Sequence, residues 1–262
     1  MKGLAEFVMR GRFQALLVTV AGSGSLMFCW ISAAVVALVI LRKGVAAGLW
    51  LVFWGLLPAG VLAYAVGDSG PLSLLLGTTA LAIVLRNTVN LPLAVLASVA
   101  VGGLTGLAMV VFAGASLEQI VTYFGEFLAS LEQQLSQGDQ QIVLARPDAT
   151  QIAGMMGVGA GMTAVLCLLL ARYWQALLYN PGGFGGEFKA LYYPPAVAAL
   201  LALLTVGLAS MGASYRTWAM ICVIPLMFAG LALVHARAEV RGQGKGWLAV
   251  FYVAWLIFDP VK

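Results

Sequence analysis

The stretch from residue 44 to residue 66, GVAAGLWLVFWGLLPAGVLAYAV, carries no charged side chain over 23 residues. A helix of about 20 apolar residues crosses a bilayer core about 30 Å thick. The apolar positions are continuous and do not alternate with polar ones, as they would along a strand of a membrane barrel. The stretch therefore predicts a transmembrane α-helix.

The rest of the chain has the same character. Of its 262 residues, 62% are hydrophobic and 9% are charged, whereas soluble domains have about 25% charged residues. This composition predicts an all-α fold, a polytopic helical membrane bundle that forms a single transmembrane domain over residues 1–262, with the lipid bilayer as a partner. The net charge of +4 fits basic residues in the loops of such a protein, so no nucleic-acid partner is inferred.

Hydropathy divides the chain into about 8 hydrophobic segments. The first, residues 13–41, is longer than one span requires, and a Gly- and Ser-rich stretch at 21–25 interrupts it. This region is predicted to be a broken helix pair that crosses the membrane out and back. The following segments are residues 44–66, 71–85, 91–114, 151–171, 195–212, 217–234 and 247–258.

The distribution of Lys and Arg predicts the orientation. With a broken first pair, 11 of the 14 basic residues fall on one side, and Arg146, Arg216 and Lys262 fall on the other. A single straight first span would change that split to 8 and 6. Because basic residues concentrate in cytoplasmic loops, the pattern favours the broken pair, with a cytoplasmic N-terminus.

Residues 116–138 differ from the other segments. Leu117, Ile120, Val121 and Phe124 begin an apolar repeat of three and four residues, which indicates an amphipathic helix. Ser116 and Gln119 fit a capping box at its start, and Gly138 fits its end. The charges in this region are all acidic, Glu118, Glu126, Glu132 and Asp139. Since helices on anionic lipid are usually basic, this helix is expected in an outer-side loop, either as a linker resting on the spans or as a lid over an outward-facing pocket.

The segment 172–194 contains YNPGGFGGEF, with glycines at 182, 183, 185 and 186. A phosphate-binding loop would place Lys after the last glycine, but Glu187 stands there and would repel phosphate. The segment is therefore predicted to be a cytoplasmic Gly- and aromatic-rich loop. It forms either a structured interfacial turn or a docking site for a protein partner. The docking residues would be Arg172, Tyr179, Asn180, Gly182, Gly183, Phe184 and Glu187.

Residues for catalysis are scarce. His235 is the only histidine, and Cys29, Cys167 and Cys222 each lie alone in an apolar run. No GxSxG or HExxH pattern is present. No catalytic residue, metal site or cofactor is inferred, and the chain is not predicted to be an enzyme.

Small residues recur four apart within the hydrophobic segments. Gly44 and Gly48, Gly102 and Gly106, and Gly157 and Gly161 are GxxxG pairs. Such pairs let helices approach closely in a membrane. They predict packing within the bundle or, alternatively, an interface with a second protein.

The stretches RGRFQALL (10–17), LRKG (41–44), GLLPAG (55–60) and ARYWQALLYNPGGFGGEF (171–188) resemble the YybS-like family of predicted bacterial membrane proteins of unknown function. That family is distantly similar to the S-components of energy-coupling factor transporters. The resemblance covers nearly the whole chain and implies a compact bundle, opened by a broken helix pair, with a multi-pass location in the bacterial inner (plasma) membrane. It also implies a partner-docking helix with small residues four apart, which Ala33 and Ala37 fit. Family members usually continue through one more span, so the C-terminus is expected to be truncated.

Two functions follow as hypotheses. The first is a small-molecule binding or transport component resembling an S-component. Its pocket is expected in the outer half near Cys29, with Trp30, Trp50 and Trp54 as ligand-binding residues that offer flat faces to a ring. These tryptophans could instead face lipid or the core. The second hypothesis is a membrane assembly or scaffold protein that recruits a partner through residues 172–194 and transports no ligand.

Overall fold

The computed structural model describes residues 2–135, 143–242 and 244–257. Within these ranges the chain is helical and has no strand. The helices are α1 (Lys2–Arg10), α2 (Arg12–Ser23), α3 (Cys29–Lys43), α4 (Val45–Ala65), α5 (Gly70–Thr88), α6 (Leu91–Leu96), α7 (Ser98–Phe112), α8 (Gly114–Leu135), α9 (Ala149–Tyr179), α10 (Gly183–Lys189), α11 (Pro195–Ser210), α12 (Ala213–Val240) and α13 (Lys245–Ile257).

Five helical segments in the described ranges are long and apolar enough to cross a membrane. They are α4, α5, the continuous pair α6–α7, α9 and α12, which span 19 to 31 residues. The all-α fold and the multi-pass membrane character predicted from the sequence are thereby supported. The finer prediction of about eight segments is not confirmed. The remaining apolar helices α2, α3, α11 and α13 have only 12 to 16 residues each.

The centre of the bundle is α3, whose residues 32–40 are all buried. It packs against α2, α4, α5 and α9. The break before it lies at residues 24–28 and not at 21–25, because α2 continues as a helix through Ser23, whose hydroxyl donates to the carbonyl of Val20 at 3.3 Å. Close contact between α2 and α3 depends on Gly22, where a Cβ would lie 3.0 Å from the Cβ of Ser32.

Two GxxxG pairs meet along the contact between α7 and α9, which we call the glycine seam (Gly102, Gly106, Gly157 and Gly161). A Cβ at Gly102 would lie 2.8 Å from the carbonyl oxygen of Gly157, and a Cβ at Gly157 would lie 2.6 Å from that of Gly102. Neither backbone leaves room for a side chain. These pairs therefore serve packing within the bundle, one of the two alternatives that the sequence left open.

Most basic side chains share one end of the bundle, the basic end, formed by α1, α10 and the last turns of α3, α5, α9 and α12. Arg86 from α5 donates to the carbonyls of Ile40 and Leu41 at 2.9 and 2.8 Å and so satisfies the last turn of α3. The guanidinium of Arg42 lies 4.0 Å from the ring centre of Tyr179. These contacts tie α3, α5 and α9 together at this end.

The opposite end is held by Asp148, which caps α9. Its carboxylate accepts from the backbone N–H of Gln151 at 2.7 Å and from the hydroxyl of Ser214. The Ser214 hydroxyl and then the Gln151 N–H stabilise the charged form and lower the pKa of Asp148. The indole of Trp218 donates to the carbonyl of Thr150 at 2.9 Å. The start of α9 is thus bound to the first turns of α12.

The amphipathic helix α8 begins at Gly114, two residues before the predicted cap Ser116. Only Ala113 separates it from α7, and the N–H of Leu117 already bonds to the Ala113 carbonyl at 2.9 Å, so Ser116 lies inside the helix. Leu117 is buried and packs against α7 and α9 with Ile152. The predicted end at Gly138 lies outside the described residues.

The largest difference from the predicted segments concerns α9, which continues to Tyr179 instead of ending at residue 171. The first eight residues of the predicted loop 172–194 are therefore helical. Trp174, which falls within that predicted cytoplasmic loop, is fully buried in the hydrophobic core that surrounds α3. The apolar interior of the bundle extends further toward the basic end than hydropathy indicates.

Candidate functional site

A cavity of about 1070 Å³ lies between α9, α10, α12 and α13, and we call it the α9–α13 groove. It is more than twice the volume of a cavity of about 460 Å³ beside α5 and α7. Its walls are mostly apolar. They comprise Met162, Leu166 and Leu169 of α9, Phe184 and Phe188 of α10, Met227, Phe228 and Leu231 of α12, and Leu248 and Trp255 of α13.

The polar side chains of the groove gather at the basic end. Lys189 from α10 forms an ion pair with Glu239 from α12, and their side chains are 26% and 64% exposed. His235 and Tyr252 line the groove beside them. One end of an apolar cavity thus presents an ammonium, a carboxylate, an imidazole and a phenol.

The hydrogen bonds of His235 define its tautomer. Its Nδ1 lies 2.8 Å from the carbonyl oxygen of Leu231, which can only accept, so Nδ1 carries a proton. In a neutral ring Nε2 is then an acceptor, and the hydroxyl of Tyr252 lies 3.4 Å from it. The ring of Phe188 meets the imidazole edge-on with centres 5.5 Å apart. His235 therefore links α10, α12 and α13.

The Gly- and aromatic-rich segment forms a wall of this groove. Gly182 adopts a φ of +89°, which glycine tolerates best, and turns the chain from α9 into α10. Arg172 and Glu187 form an ion pair at 2.7 Å with side chains 25% and 24% exposed, and Arg172 also donates to Gln175 at 2.8 Å. The ring centre of Phe184 lies 6.0 Å from those of Tyr173 and Phe188.

The predicted docking residues accordingly divide into two groups. Arg172, Phe184 and Glu187 use their side chains to hold α10 against α9, and Tyr179 contacts Arg42. Asn180, Gly182 and Gly183 instead contribute through their backbone, which forms the turn between α9 and α10. Replacement of Phe184 and Glu187 by alanine would therefore disturb internal packing as well as any docking surface.

The three predicted ligand-binding tryptophans lie in two places. Trp50 and Trp54 on α4 make an edge-to-face pair with centres 6.4 Å apart, and they are 40% and 39% exposed. Trp50 lines a cavity of about 450 Å³ with Arg12 and Lys43 at the basic end. That cavity lies at the opposite end of α3 from Cys29, beside which the sequence predicts the pocket.

Trp30, at the start of α3, donates its indole N–H to the carbonyl of Met27 at 3.0 Å. Among the described residues, it lines neither the cavity of Trp50 nor the α9–α13 groove. The neighbouring Cys29 lines another cavity, of about 300 Å³, with Ser69, Met109 and Thr163. The structure therefore does not bring Cys29, Trp30 and the Trp50–Trp54 pair into one pocket.

The residues at the polar end of the groove were not singled out as a site from the sequence. A signal for them exists on α12, where Met227, Leu231, His235 and Glu239 recur every four residues and so share one face. That face changes from apolar to polar toward the basic end. The contacts of this α12 face with Lys189 of α10 and Tyr252 of α13 depend on the tertiary structure and cannot be deduced from the spacing on α12 alone.

No group of three or more His, Cys, Asp or Glu side chains suited to a metal ion occurs within the described ranges. The hydrogen-bonding and charged groups of the groove are suited to holding an organic molecule by its polar end. Comparison of the chain with protein-family models, curated proteins and solved structures finds no match.

Proposed function

We propose that the protein is a membrane-embedded component that binds a small molecule in the α9–α13 groove. The observation that carries this proposal is an apolar cavity of about 1070 Å³ with polar groups at one end. Ligand sites are concave, mostly apolar and about 300–1,000 Å³ in volume, with a few polar groups that orient the ligand. The groove has these properties, and its volume is slightly above that range.

The proposed orientation puts the basic end in the cytoplasm. Arg42, Arg86, Arg172 and Lys189 contact other groups at that end, and basic residues concentrate in cytoplasmic loops. The N-terminus is then cytoplasmic, α2 and α3 are the broken pair, and α8 lies on the outer side as a linker or a lid. A bacterial inner membrane follows as part of the same proposal.

A transport role and the kinship with YybS-like proteins and S-components are further parts of the proposal. Their support comes from the quoted sequence stretches and from the short α2–α3 pair. Ala33 and Ala37, the candidate docking residues of that resemblance, are fully buried inside the bundle. A partner would therefore reach them only after α3 or its neighbours move.

The test places a leucine side chain on α10 so that it occupies the groove. Gly185 lines the groove and Gly186 does not, and a Cβ at either position would meet no heavy atom within 4 Å. Native mass spectrometry of protein extracted in mild detergent from its own membrane should show a bound small molecule in the wild type and in Gly186→Leu. Gly185→Leu should lose it. Equal retention by both variants would contradict binding in the groove.

The assembly hypothesis remains as an alternative proposal. It is favoured by the exposure of Tyr192, 73%, in the segment that follows α10. A photo-crosslinking residue at position 192 should then capture one defined protein in cells, and Tyr192→Asp should weaken the complex. Absence of a crosslinked protein would leave the groove as the better-supported site.

A further inference from the structure

We propose that the ligand of the α9–α13 groove is an anionic lipid of the surrounding bilayer, held by its head group at Lys189 with its acyl chains along the apolar wall. This inference rests on the proposed function and adds the class and the source of the ligand. It depends on where the groove opens, how deep it is and which charge its polar end favours.

The groove opens toward the hydrocarbon region. Leu166 lies near the middle of the 31-residue helix α9, lines the groove and is 51% exposed. The middle of a membrane-spanning helix is surrounded by lipid chains or protein. A ligand with hydrocarbon chains can therefore enter sideways from the bilayer.

The depth of the groove matches one leaflet. Its wall on α12 runs from Met227 to Glu239, which at 1.5 Å per residue is about 18 Å. The apolar part of that wall, from Met227 to His235, is about 12 Å, and half of a hydrocarbon core about 30 Å thick is about 15 Å. The apolar part of the wall ends at His235, so a lipid of that leaflet would place its chains on the apolar part and its head group at the polar end.

The charge at the polar end favours an anion. Lys189 is the less exposed member of its ion pair, and the carboxylate of Glu239 reaches further into solvent. Arg237 in the last turn of α12 and Arg241 directly after it add positive charge at this end of the bundle, although they line a separate small cavity and not the groove. Arg172 is already paired with Glu187, so Lys189 is the basic side chain that lines the groove.

An anionic head group can replace Glu239 as the partner of Lys189, because an exposed ion pair contributes little stability and Glu239 can turn into water. The phenol of Tyr252 already has a partner in Nε2 of His235, and the Nδ1–H of His235 already donates to the carbonyl of Leu231. Lys189 is therefore the group that would receive the head group.

The experiment adds dioleoyl phosphatidylglycerol or dioleoyl phosphatidylcholine to the delipidated full-length protein and measures lipid retention by native mass spectrometry. Hydrogen bonds to charged groups are the stronger ones, so wild type should retain phosphatidylglycerol about tenfold better than phosphatidylcholine. Lys189→Met should remove that preference, and Glu239→Gln should increase it. Arg10→Met removes one charge at the same end away from the groove and should leave the preference unchanged.

A second variant exchanges the charges of Lys189 and Glu239 and so distinguishes loss of lipid binding from loss of folding. Lys189→Glu combined with Glu239→Lys preserves the ion pair but puts the carboxylate at the less exposed position, so phosphatidylglycerol retention should fall in a folded protein. Equal retention of both lipids by wild type, abolished by Gly185→Leu, would overturn the anionic inference and leave the proposed function standing. Retention of either lipid that Gly185→Leu does not reduce would overturn both.

Discussion

Two faces of α9 are built in opposite ways. On one face Gly157 and Gly161 belong to the glycine seam, where the backbones of α7 and α9 nearly touch. On another face Met162, Leu166 and Leu169 line a groove of about 1070 Å³. The same helix is thus closely packed on one side and open on the other. The groove is therefore a local feature of the α9–α13 side and does not reflect loose packing of the whole bundle.

The largest effect should come from breaking the closed face. Gly157→Leu would push a side chain into the backbone of Gly102, whose oxygen would lie 2.6 Å from the new Cβ. Overpacking costs about 1–3 kcal/mol and occasionally more. Because the Gly102 backbone cannot move away by a rotamer change, the free energy of unfolding is expected to fall by about 3 kcal/mol or more. Unfolding in mixed detergent followed by circular dichroism measures it.

The matched control for the seam is Gly159→Leu. Gly159 lies two residues further on α9, where a Cβ would meet no heavy atom within 4 Å. This variant should unfold close to the wild type. Equal destabilisation at both positions would mean that the seam has no special role.

A smaller effect is expected from loosening the α10 wall of the open face. Glu187→Ala removes the partner of Arg172 from a largely buried ion pair. Loss of a hydrogen bond to a charged group costs about 1.5–3 kcal/mol, reduced here to about 1–2 kcal/mol because a quarter of each side chain reaches solvent. Proteolysis within α10 should also become faster.

The control for this ion pair is Glu6→Ala, which breaks the exposed pair between Lys2 and Glu6 on α1. Exposed pairs four residues apart contribute about 0.3–0.5 kcal/mol. If both substitutions change stability equally, the α10 wall does not depend on the Arg172–Glu187 pair.

The smallest of the three main effects is expected at Asp148, the cap of α9, which precedes the residues of both faces in the sequence. Asp148→Ala removes the cap and should cost about 1 kcal/mol. Because the native pKa of Asp148 is lowered, its contribution is present above the carboxyl's unfolded pKa of about 3.9 and is lost as pH falls through the native value. A melting-temperature series from pH 6 to pH 3 should show this loss in the wild type and not in Asp148→Asn.

The closed face could be predicted from sequence because its signal is local. The spacing of Gly157 and Gly161 and of Gly102 and Gly106 already indicates close helix contact. The span at 44–66 is likewise found almost unchanged as α4, since uninterrupted apolar residues define its length.

The open face could not be predicted from sequence, because the groove is formed by the relative positions of α9, α10, α12 and α13 in the folded bundle. Lys189, His235 and Tyr252 are distant in sequence and meet only through the placement of α10 and α13. The length of α9 was missed for a related reason. Arg172 and Tyr173 look like residues at a membrane surface, but Trp174 between them and the next turn is buried by the folded neighbours.

The contact of Arg86 with the last carbonyls of α3 has a consequence for membrane insertion. Helix α3 has 15 residues, about 22 Å at 1.5 Å per residue, and falls short of a hydrocarbon core about 30 Å thick. Among the last carbonyls of α3, that of Leu41 accepts from the guanidinium of Arg86 on α5 at 2.8 Å, and that of Ile40 accepts from it at 2.9 Å and from the N–H of Gly44 at 3.1 Å. We therefore expect α3 and α5 to insert into the bilayer as a pair. The centre of the bundle would then form during insertion and not by the entry of single helices.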